Sequence, residues 1–210
     1  VEPNSPSLST EATAALIKRQ THDLRNFLNG MEMELTLLTE TTDEAEKLAA
    51  IQRLRHGARA ADAMIRAFAA KFTSECANLI CTSDIAEQWM SDARHMLPES
   101  SIEWKVNAGR SVTHVRAALL RSVLSDVLSL VARTHPNRKL EASCTHTSSQ
   151  VIFQVSCPTA DSDRRELSEP LVWSALQQLA ARDNGQLERH TPPHASRVVF
   201  SLTFPLSSPE

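Results

Sequence analysis

His22, Asp23, Arg25 and Asn26 fall within the run His22-Asp23-Leu24-Arg25-Asn26-Phe27-Leu28, and together these residue types suit chemistry at phosphorus. A solvent-exposed imidazole is mostly neutral at pH 7 and keeps one ring nitrogen free to act as a nucleophile. Arg25 and Lys18, three and four residues from His22, offer charge-assisted hydrogen bonds to a phosphate. Asn26, one helical turn beyond His22 on the same face, carries an amide that can orient a water molecule. Outside a positioning framework the same residues are ordinary: an exposed helical histidine is usually solvated, and Asp23 with Arg25 makes a common surface charge pair.

The framework is legible in the spacing of apolar residues. Ile17, Leu24, Phe27, Leu28, Met31, Leu35 and Leu38 recur three, four and seven apart, which predicts an amphipathic helix over about 10–39, capped by Ser9 with Glu11 in its first turn. Placing Ile17, Leu24, Met31 and Leu38 at one heptad position puts His22 nearly opposite, on a wet face with Lys18, Arg19, Asp23, Arg25, Asn26 and Asn29. Phe27 and Leu28 are read as bundle core. Thr41-Thr42 breaks the helix, and Asp43 with Glu46 reads as a capping box for a second one. Its apolar positions are Ile51, Leu54, Ala58, Ala61, Ile65, Phe68 and Phe72. Two long helices joined by a short connection form an antiparallel hairpin, and one apolar seam on each cannot be kept dry by a single hairpin. Two chains together solve this as a dimeric four-helix bundle.

Beyond about residue 74 short β-like runs alternate with helices, so the fold class is α+β. Three segments divide the chain: a tail over 1–9, the hairpin over 10–73 and an α/β domain over 78–206. Expected strands are Asn78–Cys81, Ile102–Val106, Lys139–Thr145, Val151–Cys157, Gln186–Glu188 and Arg197–Phe204; expected helices are Ser83–Met96, capped by Ser83, Arg116–Arg133, and Pro170–Arg182 with proline at its start. Trp89, Trp104 and Trp173 are expected in the core or at an interface.

Composition narrows the function. The chain has 210 residues, 41% hydrophobic and 22% charged, with a net charge of −3, which argues against nucleic acid as the main partner. It has no run long enough to span a bilayer and no secretory signal pattern, which places it in the cytoplasm with no membrane partner. Cys76, Cys81, Cys144 and Cys157 lack the paired spacing of a zinc site and read as reduced thiols. His190 and His194 flank two prolines that forbid the helical turn that would put both rings on one face, which leaves them a weak metal pair, and no metal or cofactor is expected in this chain. There are only four glycines, Gly30, Gly57, Gly109 and Gly185, all far apart, which excludes a GxG or P-loop nucleotide site.

The residues His22-Asp23-Leu24-Arg25-Asn26, on the first helix of a hairpin of this length, resemble the phosphoacceptor box of bacterial sensor histidine kinases, with Phe27 in place of the box's proline. The order of elements after the hairpin resembles those kinases' Bergerat-type ATP-binding sandwich, so the resemblance covers nearly the whole chain. It implies that Asp23 accepts the proton of His22 or orients its ring. The second domain departs from the pattern: Leu130 stands at the magnesium-binding asparagine position with Asp126 before it, and Cys157 at the adenine-binding aspartate position. At the second glycine-rich turn stands Glu169-Pro170-Leu171-Val172-Trp173, and only about a dozen residues remain for the lid between Cys157 and Pro170. Side chains at these points block the close backbone approach that phosphate requires.

The chain is therefore expected to resemble a dimeric histidine phosphotransferase with a degenerate, nucleotide-free kinase domain. Its partners would be response-regulator receiver domains, which supply the aspartate and Mg²⁺, possibly with an upstream hybrid kinase. Two alternatives stay open: a receiver phosphatase using Asn26, and a non-catalytic dimeric scaffold or residual kinase.

Overall fold

The computed structural model describes residues 8–73, 76–97, 102–107, 111–135, 138–158, 169–191 and 197–207. Its first helix, α1, spans Thr10–Glu40 and starts where the Ser9 side chain accepts a hydrogen bond from the Ala12 N–H. Extended backbone at Thr41 ends it, and α2 runs from Glu44 to Ala70. Asp43 caps α2 by accepting from the Ala45 N–H, but the reciprocal half of the expected capping box does not form. Glu46 instead accepts from the Thr41 hydroxyl at 2.8 Å, so its carboxylate closes the hairpin turn. The two helices meet at Gly57, where a Cβ would lie 3.2 Å from Met31 Cγ and 3.6 Å from the Phe27 ring. Ala58, expected on the seam, is exposed, and Phe72 lies in a turn just past α2.

The rest of the chain runs β1 (Asn78–Cys81), α3 (Thr82–Met96), β2 (Ile102–Asn107), β3 (Val112–Val115), α4 (Ala117–Thr134), β4 (Leu140–His146), β5 (Gln150–Pro158), α5 (Pro170–Ala181), β6 (Gln186–His190) and β7 (Arg197–Pro205). Five strands form one mixed sheet in the order β2-β4-β5-β7-β6, parallel only between β2 and β4; β1 and β3 pair separately and antiparallel. Strand β3 is missing from the sequence expectations, although the equally short β1 is among them. Ser83 does not cap α3: the helix begins at Thr82 after Cys81, and the Ser83 hydroxyl contacts Asp84 and Cys81 Sγ.

Period-two alternation turns one face of the sheet inward. Leu140, Ala142 and Cys144 of β4, Val151, Phe153, Val155 and Cys157 of β5, and Val198, Phe200, Leu202 and Phe204 of β7 are all buried. Helices α3, α4 and α5 cover that face with Trp89, Leu120, Val127, Leu176 and Leu179, giving a two-layer sandwich. The Trp89 ring meets Trp104 edge-on at 5.0 Å, and Trp173 meets Phe200 at 5.6 Å. All four cysteines are free thiols, and burial pushes the Cys144 thiol up to about 12. Among the described residues no helix is long and apolar enough to cross a membrane, and no cluster of three metal-ligating side chains occurs. His194 and the segment 159–168 lie outside the described residues.

The hairpin is not a free arm. Ala12 and Leu16 of α1 are each 2% exposed and belong to the same hydrophobic core as the sandwich. At the other end Lys71, 2% exposed, pairs with Asp126 of α4 at 2.6 Å, while its backbone oxygen accepts from Arg182 Nη1 at 2.8 Å. The Ser122 hydroxyl of α4 donates to the Ala67 carbonyl of α2.

Candidate functional site

His22 sits on the outer surface of α1 with its side chain 69% exposed. Two neighbours reach its Nδ1: Asp23 Oδ1 at 3.4 Å and Asn26 Nδ2 at 3.3 Å. Among the described residues no hydrogen bond involves Nε2. These contacts compete chemically, because a carboxylate needs a proton on Nδ1 whereas an amide N–H needs the Nδ1 lone pair. A ring held by Asp23 presents a bare Nε2.

The electrostatic surroundings differ from the wet face expected for Arg19 and Asp23. Arg19 is buried, its side chain only 7% exposed, and its Nε lies 3.8 Å from both Asp23 Oδ2 and Glu169 Oε2. Its Nη1 is buried without a hydrogen-bond partner. Asp23 is 24% exposed, and Arg133 from the last turn of α4 donates to its Oδ1 through Nη1 at 2.7 Å. The burial arises because the α/β domain packs over this side of α1, an arrangement absent from a heptad drawn for the hairpin alone. Arg25 and Lys18, expected to face a phosphate, are exposed and make no ion pair among the described residues. Sequence reasoning missed Arg133 and Glu169 as partners of this site; they lie 110 and more residues away with no local signal.

Below His22 a groove of about 620 Å³ opens between the hairpin helices. Asn26, Phe27, Gly30 and Met31 line it from α1, Arg53 and Gly57 from α2. On the far side of α1, about 120–140° around a helix of 3.6 residues per turn, Ile17, Leu28 and Leu35 are 49%, 53% and 51% exposed. Leu28, expected in the core, is thus uncovered within one chain, while Phe27 packs against Gly57.

The positions that the resemblance marks for nucleotide serve packing instead. Leu130 and Cys157 are both 0% exposed in the core. Asp126 is committed to Lys71, and Glu169 faces Arg19 at the start of α5. Pro170 begins α5, and the Trp173 ring packs on Phe200.

No family model matches the chain, and no curated protein matches it in sequence. Solved structures do match. A bacterial phosphotransferase is 16% identical with a TM-score of 0.59, over 94% of this chain and 98% of its own. The Acinetobacter baumannii histidine kinase AdeS is 11% identical with a TM-score of 0.52, over 89% of this chain and 98% of its own. The catalytic domain of the histidine kinase ThkA is 12% identical with a TM-score of 0.50, over 61% of this chain and 95% of its own. At these identities the likeness is one of fold: the chain shares with these structures a helical hairpin followed by a mixed α/β domain.

Proposed function

We propose that this chain is a cytoplasmic, dimeric histidine phosphotransferase that relays phosphate between receiver-domain aspartates through His22, without ATP. The observation that carries this is the ring itself: Nδ1 lies against Asp23 while Nε2 points out of an exposed side chain. In the forward step the Nε2 lone pair forms a bond to phosphorus, the receiver's aspartyl O–P bond breaks, and the electron pair returns to the receiver carboxylate. The Nδ1 proton leaves by way of the Asp23 carboxylate to water, so the phosphorylated ring is neutral. Such transfers depend mainly on in-line positioning and charge stabilisation, which Mg²⁺ and basic groups of the receiver supply. Asn26, 3.3 Å from the His22 ring, also lines the groove, which offers a docking helix a seat next to the acceptor. On the opposite side of α1 the exposed Ile17, Leu28 and Leu35 provide the dimer seam, so dimerisation leaves His22 accessible.

The absence of ATP chemistry is supported by the buried Leu130 and Cys157 and by the commitment of Asp126 to Lys71. One assay tests both claims. A phosphorylated receiver should label the protein in an acid-labile form, His22→Ala should abolish the label, and γ-labelled ATP with Mg²⁺ should not introduce it. A wild-type chain that never takes label from receivers sinks the proposal, and label from ATP overturns its nucleotide-free part.

A receiver phosphatase is the second reading, favoured by the Asn26 amide 3.3 Å from the ring, where it can also orient water. It requires that Asn26→Ala slow loss of receiver phosphate while leaving transfer to His22 intact. An unchanged rate rejects it.

A further inference from the structure

We infer that Arg133, contributed by the α/β domain, is a positioning residue of the transfer site that fixes the Asp23 carboxylate and through it the tautomer of His22. The inference rests on the reading of His22 as phosphoacceptor. Three groups converge on one carboxylate: Arg133 Nη1 on Oδ1 at 2.7 Å, His22 Nδ1 on the same Oδ1 at 3.4 Å, and Arg19 Nε toward Oδ2 at 3.8 Å. An aspartate on a helix surface otherwise moves among staggered rotamers. Here cations flank both oxygens, and the arrangement that satisfies them turns Oδ1 toward the imidazole.

The consequence is chemical because Nδ1 has a second suitor. If Asn26 donates to it, the ring's proton sits on Nε2 and the outward nitrogen is no nucleophile. If Asp23 accepts from it, the proton sits on Nδ1 and the Nε2 lone pair is free. Arg133 therefore weights the competition toward the reactive form.

Docking of the two parts does not explain Arg133. A partly exposed ion pair adds little to stability, whereas the buried Leu16 and the Lys71–Asp126 pair already hold the hairpin to the α/β domain. A pair that adds so little to docking, yet touches the one carboxylate against the reactive ring, acts through orientation.

The test uses the full chain with ¹⁵N-labelled histidine, at a pH where the ring is neutral. Long-range ¹H–¹⁵N spectra of wild type should show the His22 proton on Nδ1, and Arg133→Gln should move population to the Nε2-protonated form. With a phosphorylated receiver, Arg133→Gln should lower kcat about 10- to 100-fold, the scale of a misplaced reacting group, with KM unchanged. Arg133→Lys, which keeps the charge, should restore most of the loss. In an Asp23→Asn background, Arg133→Gln should have no further effect. An unchanged tautomer and kcat, a loss seen only in KM, an additive loss with Asp23→Asn, or an Arg133→Gln chain that fails to fold would each overturn the inference. A wild type that never takes phosphate defeats the proposed function alone, since the tautomer is read without a receiver.

Discussion

At the scale of single residues, small geometric facts decide what each side chain can do. His22, Asp23 and Asn26 were legible as a group because they are adjacent in the chain, and the structure brings all three together on Nδ1. Arg133 was not, because it reaches Asp23 from α4; Arg19 stands one turn before Asp23 on the same helix, but its burial and its approach to Glu169 depend on how the α/β domain packs over α1. Gly185 gives a similar lesson. It follows Asn184, whose φ is 57°, and its N–H bonds to the Ala180 carbonyl to end α5. A Cβ at Gly185 would lie 2.4 Å from the Phe204 ring, which is 2% exposed and cannot retreat. Gly185→Ala should therefore cost about 1–3 kcal/mol by overpacking. Thermal denaturation checks this: at about 2–4 °C per kcal/mol for a chain of this size, the midpoint should fall by several degrees, and an unchanged midpoint would show that the ring moves.

At the scale of elements, what covers α1 changes along its length as well as around it. Leu24, Phe27, Met31 and Leu38 are half-buried along the hairpin, and Ala12, Leu16 and Arg19 are buried by the α/β domain. Ile17, Leu28 and Leu35 remain exposed. The long helices were legible because their period persists over many turns; of the two four-residue strands that pair with each other, β1 was read and β3 was not. If the exposed stripe is the dimer seam, Leu28→Glu with Leu35→Glu should yield a monomer by sedimentation, with far-ultraviolet circular dichroism unchanged. A wild type already monomeric at micromolar concentration would remove the bundle architecture.

At the scale of the whole molecule, the hairpin and the α/β domain share one core, and Lys71 with Asp126 locks the end of α2 to α4. Lys71 also lies 5.5 Å from the Phe68 ring centroid, so its charge is enclosed on two sides. Removing one partner strands the other: Asp126→Ala should cost about 3 kcal/mol, at the low end for a buried pair because Asp126 keeps some exposure. Lys71→Met with Asp126→Leu should recover most of that, since no charge is left uncompensated. Urea denaturation midpoints distinguish the two; equal losses would show that the pair is not what holds the parts together.

The sequence by itself determined the hairpin, the α/β order and the cluster around His22, because these arise from local period, caps and adjacency along the chain. It also carried the scarcity of glycine, four residues in all, which composition reports directly. The tertiary structure alone decided which cations reach Asp23, which face of α1 stays uncovered and what became of Asp126 and Glu169. Those outcomes depend on contacts between residues about 50 to 150 apart, for which a single sequence holds no periodic signal. The histidine was readable; the arginine that pairs with its neighbour was not.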